Sequence, residues 1–323
     1  MADITNLVAD QRAYFATKQT LDVSFRKAQL KRLYQAIQDN EAGIFEALKT
    51  DLNKSEFESY ATEISMVYTE LKYMIKHLET FSKAEKRGTP IVHFPSISRV
   101  QYDPYGCVLI MSPWNYPLQL CLAPLVGAIA AGNCVVVKPS NYSPATTKIL
   151  AKILSIFPDD YIAVVEGGRQ ENQALLDQQF DFIFFTGGTK VAKLVMEKAA
   201  KHLTPVALEL GGKSPCIVDK TANIHLSAKR IVWGKLLNAG QTCVAPDYIL
   251  VQESVREALV AEIHKCIKKF YGDHPETNAE YPKIINETHF DRLSNLAGTA
   301  VTNPGTLQIA PVVVDGATWE DAV

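Results

Sequence analysis

Residues 106–141 read GCVLIMSPWNYPLQLCLAPLVGAIAAGNCVVVKPSN. Cys107 to Met111 is a short apolar run of strand length. Ser112 to Pro117 carries two prolines and reads as a loop, and Leu118 to Ala131 is long enough for a helix. Gly132 and Asn133 close that helix, as a C-terminal glycine often does. Cys134 to Val137 is a second apolar run, followed by Lys138-Pro139-Ser140-Asn141. Two apolar strands joined by a helix form a βαβ unit, which requires a parallel sheet buried on both faces.

The rhythm continues downstream. Pro144 opens a helix from Ala145 to Ile156, and Tyr161 to Val165 is a strand ending at Gly167-Gly168. A helix near Glu171 to Gln178 precedes a strand from Phe182 to Phe185. The turn Thr186-Gly187-Gly188-Thr189 leads into a helix from Lys190 to Lys201, and Pro205 to Glu209 is a further strand. The expected fold class is α/β, with a doubly wound, Rossmann-like parallel sheet. Ligands of such sheets lie at the carboxyl ends of the strands, where Trp114, Asn115, Lys138, Gly187 and Gly188 fall. The Gly-x-Gly-x-x-Gly fingerprint is absent. Gly187-Gly188 at a helix start could hold a phosphate by its backbone N–H groups, and a plain tight turn fits it equally well.

Upstream, Asp22 to Phe81 reads as helices, with Leu30, Leu33, Ile37, Ile44, Leu48, Ile64, Val67 and Leu71 at spacings of three and four. Met66, Tyr68, Tyr73 and Met74 are expected in the core, and the Lys/Glu-rich faces in solvent. The pattern breaks at Lys83 to Pro90. Ile91 to Tyr102 then alternates and predicts two short strands around a turn, either an arm reaching another subunit or a surface flap. Beyond Glu209, strands are expected at Cys216–Asp219, Tyr248–Val251 and Pro311–Val314. Helices are expected over Ala222–Leu237, Val255–Phe270 and a short stretch from Glu287.

Composition narrows the function. The chain has 323 residues, 47% of them hydrophobic, and 33 basic against 35 acidic side chains give a net charge of -2. A near-neutral chain lacks the field that holds nucleic acid or an anionic membrane. The start, Met1 to Gln11, lacks the order of a signal peptide, and the longest apolar run is too short to span a bilayer. Six cysteines without regular spacing form neither a disulfide framework nor a zinc site, so no metal is expected. A cytoplasmic protein is the expectation.

Cys107, Cys121, Cys134 and Cys216 sit in apolar runs, Cys266 in a helix-like segment, and all five read as structural. Cys243 differs. It follows Gly240-Gln241-Thr242 and precedes Pro246, so its thiol stands on a turn among small residues. A nucleophilic cysteine needs such a setting. Glu209 ends an apolar strand. If buried, its carboxyl would take protons near neutral pH; a salt bridge, with Lys213 for example, is the structural alternative.

Four stretches, Pro113-Trp114-Asn115, Lys138-Pro139-Ser140, Glu209-Leu210-Gly211-Gly212-Lys213-Ser214 and Gly240-Gln241-Thr242-Cys243, resemble in order and spacing the NAD(P)-dependent aldehyde dehydrogenase superfamily. Asn115-Tyr116-Pro117 and Thr242-Cys243-Val244-Ala245-Pro246-Asp247-Tyr248 look like its class 3 branch, which handles medium and long aliphatic and aromatic aldehydes. The resemblance covers essentially the whole chain. It implies NAD or NADP as cofactor, bound by Trp114, Lys138, Ser140, Asn141, Gly187, Gly188 and Leu210. It also implies that Cys243 attacks the aldehyde to give a thiohemiacetal, that Asn115 and the Cys243 N–H stabilise the oxyanion, and that Glu209 activates the water that hydrolyses the thioester. By the same likeness, 1–88 and 104–206 would form the NAD(P)-binding domain, 89–103 an oligomerisation hairpin serving a homodimer, and 207–323 the catalytic domain.

Three departures stand out. Asn141 replaces a frequent glutamate and Ala192 a common glycine. The sequence also stops at Val323, before the family's Glu-Ile-Phe-Gly-Pro segment with its carboxylate for the nicotinamide ribose, so low activity is expected of the chain as written. Two other functions compete. A cysteine hydrolase or acyltransferase would pair the thiol with a histidine, but none of the seven histidines sits in a pairing motif. A non-catalytic fragment that keeps the fold is the other.

Overall fold

The computed structural model describes residues 4–297, so the strand expected at 311–314 lies outside the described residues. The chain divides into two compact units, 1–47 with 59–210, and 48–58 with 211–323. This division cuts differently from the expected domain boundaries, because a short helical segment before Ser59 goes with the second unit.

In the first unit, α1 (Ile4–Ala16) and α2 (Val23–Gln38) precede α3 (Glu41–Leu52), whose second half passes with the start of the next helix into the second unit. Asp22 caps α2, its carboxylate accepting from the Phe25 N–H at 2.7 Å. α4 (Glu56–Ser59) runs through a π turn (Tyr60–Ile64) into α5 (Ser65–Phe81). The helix α1 falls in a stretch for which the sequence predicted no element. Of the expected Met/Tyr stripe only Tyr68 is buried, while Met66 and Tyr73 are exposed. The acidic face also departs from expectation, since Glu58 and Glu63 are buried.

The arm is a short antiparallel pair, β1 (Glu85–Lys86) and β2 (Arg99–Val100). This shifts the strands outward from the expected 91–102. Residues Ile91–His93 instead form a 3-10 turn, followed by a cis Phe94–Pro95 bond. Pro90 and Pro95 lack the N–H groups that a ladder needs there.

Five parallel strands form the main sheet: β3 (Cys107–Met111), β4 (Cys134–Lys138), β5 (Ile162–Val164), β6 (Phe182–Thr186) and β7 (Val206–Glu209), in the order β5-β4-β3-β6-β7. Every residue of β3 and β4 is buried. α6 (Gln119–Ala131), α7 (Pro144–Leu154), α8 (Arg169–Leu176) and α9 (Thr189–Ala200) alternate with the strands, as the sequence predicted. α1 and α6 pack on β3 and β4, α7 on β5, and α9 on β6 and β7. Gly132 closes α6 at φ 94°. The strand order reverses beside β3, the arrangement that opens a crevice outside the carboxyl ends.

In the second unit, parallel β8 (Ser214–Val218) and β9 (Pro246–Val251) pack with α10 (Ile224–Leu236) and α11 (Glu253–Tyr271). α12 (Glu287–Ala297) follows. Val218, Ala228, Ile231, Val232, Leu236, Leu259, Cys266 and Tyr281 form its core.

Candidate active site

The order of the strands brings most of the expected site residues of the first unit to one sheet edge. Reading along it, Lys138, Ser140 and Asn141 leave β4, the loop with Trp114 and Asn115 leaves β3, Gly187 and Gly188 leave β6, and Glu209 and Leu210 leave β7. The β3 and β6 loops flank the switch point.

Lys138 is only 2% exposed. Its Nζ donates to the carbonyl oxygens of Pro139 and Gly167, both at 2.7 Å. Burial pushes its pKa down to about 8, because the charged form loses hydration, although Glu171 and Glu166 pull the other way. Ser140 Oγ accepts from the Tyr142 N–H at 3.2 Å. Asn141 is exposed, and a Cβ on Gly168 would stand 3.8 Å from its Nδ2.

The loop holding Trp114 and Asn115 is tied at both ends. Ser112 N–H donates to Lys138 O at 3.1 Å, continuing the β3–β4 pairing. At the far end, the buried carboxylate of Glu63 accepts from the N–H groups of Leu118 (2.8 Å) and Gln119 (3.2 Å). It thereby satisfies two N–H groups at the start of α6 and complements its positive end. Sequence reasoning missed Glu63, since a glutamate in a charged helix reads as surface.

Gly187 N–H donates to Glu209 O at 3.0 Å, so the two turns are stitched together. A Cβ on Gly187 would stand 2.6 Å from the Phe185 ring. Gly188 O accepts from Val191 and Ala192 N–H, opening α9. Ala192 is buried within that helix, where alanine is the best former. Just before this turn, the buried Thr186 hydroxyl finds no acceptor or donor. Glu209 itself is exposed. The sequence left burial or a salt bridge open for this carboxyl, and the structure shows it unburied. Lys213 forms its ion pair with Asp247 at 3.1 Å.

Cys243 belongs to the second unit, on the loop between α10 and β9. It is exposed, while Cys107, Cys121, Cys134 and Cys266 are buried and Cys216 is half-buried. Burial raises the thiols of Cys107 and Cys121 to about 11 and about 12, so they hold their protons and stay inert. The cysteine loop approaches its neighbours closely. A Cβ on Gly212 would lie 2.7 Å from the Cys243 carbonyl oxygen, so this position must be glycine. Among the described residues no cluster of three His, Cys, Asp or Glu side chains could hold a metal ion, and no helix is long and apolar enough to cross a membrane.

A doubly wound sheet with polar groups along its carboxyl edge defines a class of α/β proteins that bind a ligand at the switch point. An exposed cysteine on a separate glycine-bounded loop adds a reactive group to that class. Comparison with known proteins narrows it further. The aldehyde dehydrogenase family profile matches residues 1–314, and the chain belongs to that family. It is 44% identical to the 4,4'-diaponeurosporen-aldehyde dehydrogenase of Staphylococcus aureus, over 97% of this chain and 70% of that one. It is 46% identical to aldehyde dehydrogenase family 3 member B1 of Rattus norvegicus, over 94% of this chain and 66% of that one. A solved structure of a substrate-bound Staphylococcus aureus AldH superposes with a TM-score of 0.90 at 46% identity, over 92% of this chain and 65% of that one. The chain thus spans about two thirds of the length of the relatives it matches, and the class 3 likeness read from the motifs stands.

Proposed function

We propose that this chain carries the catalytic residues of an NAD(P)-dependent oxidation of aldehydes to carboxylic acids, with medium or long aliphatic or aromatic aldehydes as substrates. The observation that carries this reading is Cys243: of six cysteines it alone is exposed, on a loop that Gly212 lets approach closely. Its sulfur forms a bond to the aldehyde carbon, giving a thiohemiacetal. Asn115 and the Cys243 N–H stabilise the developing oxyanion, a kind of contact worth roughly 3–4 kcal/mol in the transition state. A bound NAD or NADP supplies the hydride acceptor. Glu209, accessible to solvent, then takes a proton from the water that displaces the sulfur, releasing acid and thiol.

The residues of the first unit suit such a cofactor. The buried Thr186 hydroxyl lacks a protein partner beside the α9 turn. Two of the three Lys138 N–H bonds go to carbonyls, which leaves one for a ribose hydroxyl. Trp114, Ser140, Asn141, Gly187, Gly188 and Leu210 stand at the same edge. The exposed Ile91, Val92 and Phe94 of the arm fit a homodimer contact, since such apolar clusters mark association surfaces. A cytoplasmic location belongs to the same proposal.

The test is Cys243→Ala, which removes the nucleophile and little volume. Aldehyde-dependent formation of reduced cofactor, followed by absorbance, should vanish, while cofactor binding measured by calorimetry persists. Oxidation retained in Cys243→Ala would overturn the mechanism.

A further inference from the structure

The loop before the cysteine is held in a conformation that chains avoid. Asn238, Ala239 and Gly240 take successive φ values of 52°, 53° and 77°. Glycine accepts this region freely and asparagine tolerates it, but the β-carbon of alanine makes it strained. Such backbone persists only where its surroundings over-determine it.

Two side chains of the second unit do so here. The Glu58 carboxylate, on a residue only 5% exposed, accepts from the N–H of fully buried Asn238 at 2.7 Å. A charged acceptor makes the stronger kind of hydrogen bond. Gln241 is the second hold. Its Nε2 donates to Asn238 O at 2.9 Å and to Lys283 O at 3.0 Å, and its Oε1 accepts from Ile285 N–H at 3.0 Å. Gln241 N–H also donates to Asn238 O at 3.0 Å. The loop is therefore anchored at its entry by Glu58 and one turn later by Gln241, two residues before Cys243.

We propose that Glu58 is a positioning residue for Cys243: its buried carboxylate locks the left-handed turn 238–240, and Gln241 transmits that geometry to the thiol. Glu58 touches no reacting atom in this scheme. The inference rests on Cys243 being the nucleophile, but its central experiment does not. Hydrogen–deuterium exchange read on peptides over 237–245 should speed at least tenfold in Glu58→Ala, with α11 unchanged. Glu58→Gln keeps a carbonyl oxygen as acceptor and should restore protection to near the wild-type level. In turnover, Glu58→Ala should lower kcat roughly ten- to a hundredfold with the cofactor KM unchanged, as a misplaced nucleophile does. Gln241→Ala, a variant outside the Glu58 contact, should loosen the same peptides.

Protection lost equally over α11 and 237–245 in both alanine variants would overturn the proposal, making these residues general supports. Exchange in Glu58→Gln as fast as in Glu58→Ala would also overturn it. If exchange behaves as expected and kcat is unmoved in Glu58→Ala while Cys243→Ala abolishes oxidation, the locked turn does not position the thiol and the proposal falls; oxidation retained in Cys243→Ala instead overturns the nucleophile reading on which it rests.

Discussion

Lys138 shows how one buried cation sets a pH dependence. Its folded pKa stands near 8 and an unfolded lysine titrates near about 10.4. Between these values the unfolded chain binds more protons than the folded one, so this residue's contribution makes stability rise with pH across that window. Below it, the charged form is buried and its desolvation cost is fully present. Lys138→Met removes the titration. Wild type should gain on the order of 1–3 kcal/mol relative to Lys138→Met between pH 8 and 10, measured by urea unfolding. A difference that is flat with pH would show that the ammonium is well solvated. The cofactor role proposed for Asn141 carries a second prediction. A glutamate there would repel the 2′-phosphate of NADP, whereas the exposed Asn141 amide can donate to it. Asn141→Glu should weaken NADP binding about tenfold relative to NAD, less so at high salt. Dissociation constants for both cofactors, wild type against variant, decide it.

At the scale of elements, the terminus of α6 shows a glycine that cannot be replaced. Gly132 sits at φ 94°, and a Cβ there would meet the Thr20 carbonyl oxygen at 2.8 Å. Gly132→Ala should cost about 2 kcal/mol or more, combining backbone strain with a displaced neighbour. A denaturant midpoint equal to wild type would show that the turn readjusts freely. This stop was legible, because a Gly-Asn pair after an apolar helix has one ready meaning. The arm was read a few residues out of place, since Ile91, Val92 and Phe94 alternate like a strand while the flanking prolines forbid the ladder. Glu58 and Glu63 were illegible for a different reason. Hydrophobic periodicity assigns every glutamate to solvent, and nothing local announces that a carboxylate is needed by an N–H far along the chain, 180 residues away in the case of Glu58.

Across the molecule, the parallel sheet was readable because buried central strands are continuous apolar runs and their helices are punctuated by Gly and Pro. The expected site residues of the first unit then fell at strand ends by topology alone. The transfer of 48–58 to the second unit was not readable, since helical patterning says which face is buried but not against what. The N-terminal helix was hidden for a related reason: polar bonds hold it as well as apolar ones. Gln11 Nε2 donates to Val135 O and Asp159 O at 2.9 and 3.0 Å, and Arg12 pairs with Asp181 at 3.2 Å. These partners lie 124, 148 and 169 positions downstream. A ribosome adds roughly 5–20 residues each second. Helix α1 thus waits on the order of ten seconds after its own synthesis before the last of these partners exists, and through that interval the face of Ile4 and Val8, buried in the folded chain, is open to a chaperone.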